Sequence, residues 1–351
     1  MTELSQIISQ IEPLDSAWLA KAQERLDSLT KPRGSLGRLE ELAARYVAIT
    51  REPSPSLEQK WAVVFAADHG VVSEGVSAYP QEVTHQMVLN FLRGRAGINV
   101  LGRLVGARVA VVDIGVNHDF EQMPELIVRK VAYGSRNMAK EPAMTREEAI
   151  RALLVGVELA ELATASGMDA MAAGDMGIGN TTPAAALASV FTGRPVAAVT
   201  GRGTGIEDQA WRHKVAVINR ALALHQPTTE DPVGALAAVG GLEIGGIAGL
   251  ILGTAAARRP MLLDGFIATA GALVAVALAP AVTGYLIAAH RSVEPGHQIM
   301  LDFLGLKPLL NLQMRLGEGT GAALGMNLLE AGVRIYREMA TFEEAGVADK
   351  E

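Results

Sequence analysis

The chain has 351 residues, of which 49% are apolar and 20% charged, with a net charge of -7 and no cysteine. That length and composition describe a globular protein with room for a large core, and they exclude disorder, disulfides, thiolate catalysis and cysteine-held metal. The acidic balance gives no electrostatic reason to expect nucleic acid as a partner, and it suits a protein that handles small molecules.

The first residues, Met1 to Ser16, are polar and acidic with no apolar run, so a secretory signal is not expected and a cytoplasmic location is. Apolar residues at helical spacing predict a helix over Ser16–Leu29. The run Thr30-Lys31-Pro32-Arg33-Gly34-Ser35 breaks it, and a second helix is predicted over Leu36–Thr50. Short apolar runs then read as buried parallel strands: Trp61–Ala66, Arg108–Ile114, Ala170–Ala173, Val196–Thr200, Met261–Leu263 and Tyr285–Ala288. Helical segments such as Arg146–Ser166 and Asp208–Leu224 separate most of them, which predicts an α/β fold with a largely parallel sheet. Gly265 to Ala289 carries no charge and is long enough to span a bilayer. Pro280 and the small residues instead favour a buried helix, Ala268–Leu278, and then a buried strand within 284–288. The tail from about Thr320 to Phe342 is predicted as one long helix that packs with the N-terminal helices.

Ligands of open α/β sheets bind at the carboxyl ends of strands, so the turns there are the places to look. Asp68-His69-Gly70, Asp113-Ile114-Gly115 and Asp264-Gly265-Phe266 close three predicted strands. Gly174-Asp-Met-Gly-Ile-Gly-Asn-Thr-Thr-Pro183 closes another. Its glycines permit close backbone approach, Thr181 or Thr182 suits an N-cap, and Pro183 suits the first helical position. A helix start behind such a loop is a natural phosphate site, and a tight turn without a ligand is the alternative. Gly201-Arg-Gly-Thr-Gly205 looks like a dinucleotide fingerprint, but Ile206 stands where the last glycine belongs. It reads as a second phosphate or ribose loop. Lys214 beyond it either reaches an anion or lies solvated on the surface. Glu318, between Gly317 and Gly319 at a predicted helix start, has little side-chain cover and suits a general base. The alternative is an acid complementing the helix dipole. The seven histidines have no metal-binding spacing, and Asp68-His69 reads as a turn pair. No metal and no cofactor are expected.

Several motifs together resemble one family. They are Leu29-Thr-Lys-Pro-Arg-Gly-Ser-Leu-Gly-Arg-Leu-Glu40, Ala67-Asp-His-Gly-Val71, Tyr79-Pro80 with Val83-Thr84, and the Gly174–Pro183 loop. Val239-Gly-Gly-Leu242, Leu262-Leu-Asp-Gly-Phe266 and Met314-Arg-Leu-Gly-Glu-Gly-Thr-Gly-Ala-Ala-Leu324 complete the set. In this order they resemble the nicotinate-nucleotide–dimethylbenzimidazole phosphoribosyltransferases of cobalamin synthesis. The resemblance implies a Rossmann-like parallel sheet flanked by helices, over residues 51–324. It also implies a small helical domain from both chain ends, residues 1–50 and 325–351, and a homodimer without nucleic acid or membrane as partner. The implied substrates are nicotinate mononucleotide and dimethylbenzimidazole. Glu318 falls on the family's catalytic base. Asp175 falls on an acid beside the nucleotide that is glutamate in some members. Gly174, Gly177, Gly203 and Lys214 fall where the mononucleotide and its phosphate are held. Tyr79, Pro80, Gln86, Met87 and Leu316 fall around the acceptor-base pocket, where Gln86 and Met87 compete for one polar contact. The acid pair and short Thr/Gly loop of enzymes that use phosphoribosyl pyrophosphate are absent, so the sequence requires no magnesium. A nicotinamide-cofactor dehydrogenase and a non-catalytic nucleotide sensor are the rival readings.

Overall fold

A computed structural model describes residues 3–203 and 205–348. Thr204, within the Gly201–Gly205 loop, lies outside the described residues, as do both extreme ends of the chain. Six strands form one parallel sheet: β1 (Lys60–Ala67), β2 (Ala107–Gly115), β3 (Leu126–Val128), β4 (Ala170–Met176), β5 (Met261–Leu263) and β6 (Leu286–Ala288). Their order across the sheet is β3-β2-β1-β4-β5-β6. The order therefore reverses between β1 and β4, and the crevice beyond their carboxyl ends is where such sheets bind ligands.

Alternation within the strands builds two apolar layers. Val63, Phe65 and Ala67 of β1 face one cluster, with Met171, Ala173, Met261, Leu263 and the helices Arg146–Ala165, Leu242–Ala256 and Phe266–Leu278. Ala62, Val64 and Ala66 face the other, with Ala172, Leu262, Ile287 and residues of Val83–Leu92 and Thr320–Glu338. Both faces of the sheet are covered, which is why the strands read as continuous apolar runs. Each fully buried Val, Ile or Phe contributes about 1.5–3 kcal/mol. The first layer depends on close helix packing. A side chain on Gly249 would strike the Leu153 carbonyl, so only glycine lets Leu242–Ala256 lie against Arg146–Ala165.

Most predicted elements are present, and three differ. Val196–Val199 is one turn of helix, not a strand. Val196 and Val199 are buried while Ala197 and Ala198 are exposed, an i,i+3 pattern that follows Pro195. The edge strand β3 was not expected, being three residues long with Val128 half exposed. The C-terminal helix stops at Glu338. Met339 is extended, and Thr341 and Glu344 form a reciprocal capping box that starts a new short helix, Phe342–Ala345. The charge-free segment forms helix Phe266–Leu278, a 3-10 turn at Pro280–Tyr285 and β6. No helix among the described residues is long and apolar enough to cross a membrane.

Helices Ser16–Ser28 and Arg38–Thr50 pack with the C-terminal helix through Ala22, Leu26, Ala43, Val47 and Tyr336. The Lys31–Glu40 motif turns between the first two. Lys31 and Glu40 form a buried ion pair at 2.9 Å, and the Glu40 carboxylate also accepts from the Leu36 amide.

Candidate active site

Asp68 and His69 follow β1 at the reversal of strand order. His69 is buried and lies 3.0 Å from the equally buried Glu243 carboxylate. Burial pulls the imidazole down, but the Glu243 charge and hydrogen bond outweigh it, and the ring titrates above its ordinary value. This pair forms the floor beneath the loop after β4. A side chain on Gly177 would strike the Ala67 carbonyl and come within 3.0 Å of His69 Nε2. Thr84, from helix Val83–Leu92, accepts from the Ile178 amide at 3.1 Å and ties the loop on its other side.

The loop leads into helix Thr181–Thr192, whose N-cap is Asn180; neither threonine caps it, and Pro183 is its third residue. Asn180 Nδ2 donates to Asp175 Oδ2 at 2.9 Å, so its side chain is drawn back toward the strand. At the helix start, Lys214 Nζ donates to Thr181 Oγ1 at 2.7 Å. Lys214 is 1% exposed, so the solvated alternative does not hold. It lies on the apolar stripe Lys214, Val217, Ile218 and Ala221 of helix Asp208–His225. Gly203 completes this corner, since its missing side chain would sit 2.7 Å from Thr181 Oγ1 and 3.4 Å from Lys214 Nζ. Glu294 Oε1 accepts from the Gly203 amide at 3.0 Å. Burial lowers the Lys214 ammonium to about 8, against the pull of Glu294 toward the charged form. A cleft of about 610 Å³ opens beside this loop, lined by Arg202, Arg212, Glu294 and Arg315. The loop follows a turn of helix instead of a strand, so the strand–loop–helix geometry of a dinucleotide fingerprint is missing here.

Glu318 lies on the opposite side. Gly317, Glu318 and Gly319 all have positive φ, at 80°, 62° and 92°. The Glu318 carboxylate does not complement the helix that follows it. Its Oε2 accepts from the Ile98 amide at 3.0 Å, and Gly97 also donates, at the start of a different helix, Gly97–Val105. The expectation of little side-chain cover is corrected here. Glu318 is 4% exposed, because its carboxylate is seated against the start of helix Gly97–Val105. Gly174 makes room for this turn, since any side chain there would collide with the Glu318 carbonyl. Gly174 thus serves the Glu318 turn directly, Gly177 the floor, and Gly203 the Lys214 corner.

Burial, then the Asp264 charge, pushes Glu318 above the usual carboxylate range, while the Ile98 and Gly97 amides pull it back. Asp175 is pushed far up, by burial first and then by Asp264 and Glu243. Two buried carboxyls, Asp175 and Glu318, thus share the charge of Asp264. Among the described residues no three metal-ligating side chains gather to hold an ion. At the rim, Tyr79, Pro80, Gln86 and Leu316 are exposed, while Met87 packs against the second core layer with Thr84 and Val88. Gln86 and Met87 therefore point to different faces of one helix. His85 stacks on His118 with ring centroids 4.5 Å apart, a pairing that no local sequence signal reveals.

Sequence reasoning missed Thr181 as a partner of Lys214, and also Glu294, Glu243 and the part played by Asp264. Lys214 itself carried a signal, because its stripe at i, i+3, i+4 and i+7 faces the core. Glu294 and Glu243 carried none.

A parallel sheet with a buried lysine corner and buried acids beside its switch point has the form of a small-molecule enzyme. Residues 11–347 match the phosphoribosyltransferase family. A nicotinate-nucleotide–dimethylbenzimidazole phosphoribosyltransferase of Geobacter sulfurreducens is 63% identical over 349 residues, 99% of each chain. One of Chloroflexus aggregans is 57% identical over 350 residues, covering 100% of this chain and 99% of that one. A crystal structure of CobT from Thermus thermophilus superposes with a TM-score of 0.92 at 52% identity, covering 95% of this chain and all of that one. The chain belongs to the nicotinate-nucleotide–dimethylbenzimidazole phosphoribosyltransferase family.

Proposed function

We propose that the protein transfers the phosphoribosyl group of nicotinate mononucleotide to 5,6-dimethylbenzimidazole, giving α-ribazole 5'-phosphate and nicotinate for the nucleotide loop of cobalamin. The pyridinium nitrogen of the donor takes back the electron pair of its bond to the ribose and leaves as neutral pyridine, so no acid is needed. The free ring nitrogen of the acceptor attacks the ribose carbon from the opposite face, inverting β to α. Its second ring nitrogen then loses a proton, and Glu318 takes it. The observation that carries this reading is the Glu318 carboxylate, buried and raised in pKa beside the switch point, across the loop from the Lys214 corner. Lys214, Thr181 and Gly203 hold the phosphate, and that remote anchor supplies binding energy for orienting the ribose. Asp175 lies beside the nucleotide, and Tyr79, Pro80, Gln86, Met87 and Leu316 border the acceptor.

The same reading takes the protein to be a cytoplasmic homodimer. Residues 1–50 with 325–351 form its small helical domain, and 51–324 its large α/β domain. Exposed apolar side chains near the site, Val100, Leu104 and Leu316, support a self-contact there. The test of function is to mix the protein with both substrates and look by mass spectrometry for α-ribazole 5'-phosphate and nicotinate. Equal amounts of both are expected. Binding of both substrates with neither product would turn the reading into a sensor, the one rival this geometry leaves.

A further inference from the structure

Asp264 follows β5 and is 1% exposed, yet nothing in its local sequence explains why a carboxylate is buried there. Its contacts do. Oδ2 accepts from the Gly319 amide at 3.2 Å, and Oδ1 from the Gly321 and Ala322 amides at 2.7 and 3.1 Å. These are the first donors of helix Thr320–Glu338, whose N-cap, Gly319, has no side chain to satisfy them. A residue more than fifty positions away thus caps the helix, and its three bonds begin immediately after Glu318.

That placement matters because the turn is strained. Glu318 is a non-glycine residue in the left-handed region, a conformation that persists only where the surroundings impose it. Gly174 allows the turn to approach β4, and Gly97 leaves space for the carboxylate, 3.1 Å from where a side chain would begin. Both are permissive. Asp264 is the group that pulls. His290 Nε2, just beyond β6, lies 3.5 Å from Asp264 Oδ1 and backs the carboxylate, and Gly321 is small because His290 presses on it.

We infer that Asp264 is a positioning residue for the proposed proton acceptor, clamping the backbone beyond Glu318 so that its carboxylate is held at the start of helix Gly97–Val105. The inference rests on Glu318 being the base. It differs from a capping role alone in one respect. Asp264 also places a negative charge beside Glu318, and that charge helps to raise the pKa of the base. The titratable groups around Glu318 are Asp264 and Asp175, with Glu243 beyond Asp175 and His290 beyond Asp264.

The test compares Asp264→Asn, Gly319→Ala and Glu318→Gln in the full-length enzyme. Asparagine keeps one accepting oxygen, opposes one amide with its own NH2, and removes the charge. We expect Asp264→Asn to lower kcat about 10- to 100-fold while KM for both substrates stays within about threefold. The acid limb of its kcat–pH profile moves to lower pH. Gly319→Ala strains the same turn without changing charge, so kcat falls and the acid limb stays in place. Nicotinate mononucleotide binding by calorimetry confirms that each variant is folded. An Asp264→Asn enzyme with kcat within threefold of the parent overturns the inference. So does one whose kcat and melting temperature fall and whose KM values rise together, with an unmoved acid limb. If Asp264→Asn does not fold, Asp264→Ser is read in the same way, and failure of both makes Asp264 a folding residue only. Full turnover by Glu318→Gln rejects the base assignment itself, whatever Asp264 does.

Discussion

The Lys214 corner and the Glu318 corner are built with the same device and put it to opposite uses. Each brings a loop at the carboxyl edge of the sheet against the start of a helix. At Thr181–Thr192 the helix start meets a buried ammonium and a glycine, so positive character accumulates there. At Thr320–Glu338 and Gly97–Val105 the amides are taken by the protein's own carboxylates, Asp264 and Glu318. In the proposed reading a helix start serves as the phosphate site where a cation joins it, and as the holder of the base and its positioning carboxylate where carboxylates fill it. The first corner should govern affinity for the mononucleotide, and the second the rate of proton transfer.

The sharpest way to break this division is Glu318→Gln, expected to lower kcat about 10²- to 10⁴-fold. Next comes Asp264→Asn, with the smaller loss of kcat given above. Lys214→Met should weaken mononucleotide binding about 10- to 100-fold, the worth of a lost charge-assisted contact, with kcat at saturation changed much less. Thr181→Ala should weaken it only about 3- to 10-fold, because the ammonium remains. The pH dependence sharpens the contrast further. In the proposed reading Lys214 holds the phosphate as a cation, and burial brings it to about 8, so KM for the mononucleotide should rise above that pH. Glu318 accepts a proton only when ionised, and its pKa is raised, so kcat should fall as pH drops through a value above the usual carboxylate range. Initial-rate measurements across pH separate the two limbs. A KM that stays flat through pH 8–9 would remove Lys214 from the phosphate site.

The two corners also differed in how far they could be read from sequence. The sheet was legible because both its faces are buried, so the middles of β1, β2 and β4 appear as short apolar runs. Glu318 was legible from its glycine neighbours, which mark an unusual backbone. Its burial was not, because Gly97 and Ile98 reach it only through the fold. Lys214 was found, but its surroundings were not, since Thr181 and Glu294 come from distant segments. Val196–Thr200 misled because four apolar residues fit a strand or a helical turn equally well, and burial at i and i+3 decides between them. Long-range side-chain-to-backbone bonds such as those of Asp264 leave no periodicity, and only the assembled structure reveals them.

The division between the two corners is tested most directly by measuring kcat and the mononucleotide Kd together for Glu318→Gln. The account predicts a Kd within about twofold of the parent and a kcat lowered at least about 10²-fold. A Kd that weakens as much as kcat falls, or a kcat that is retained, would contradict it.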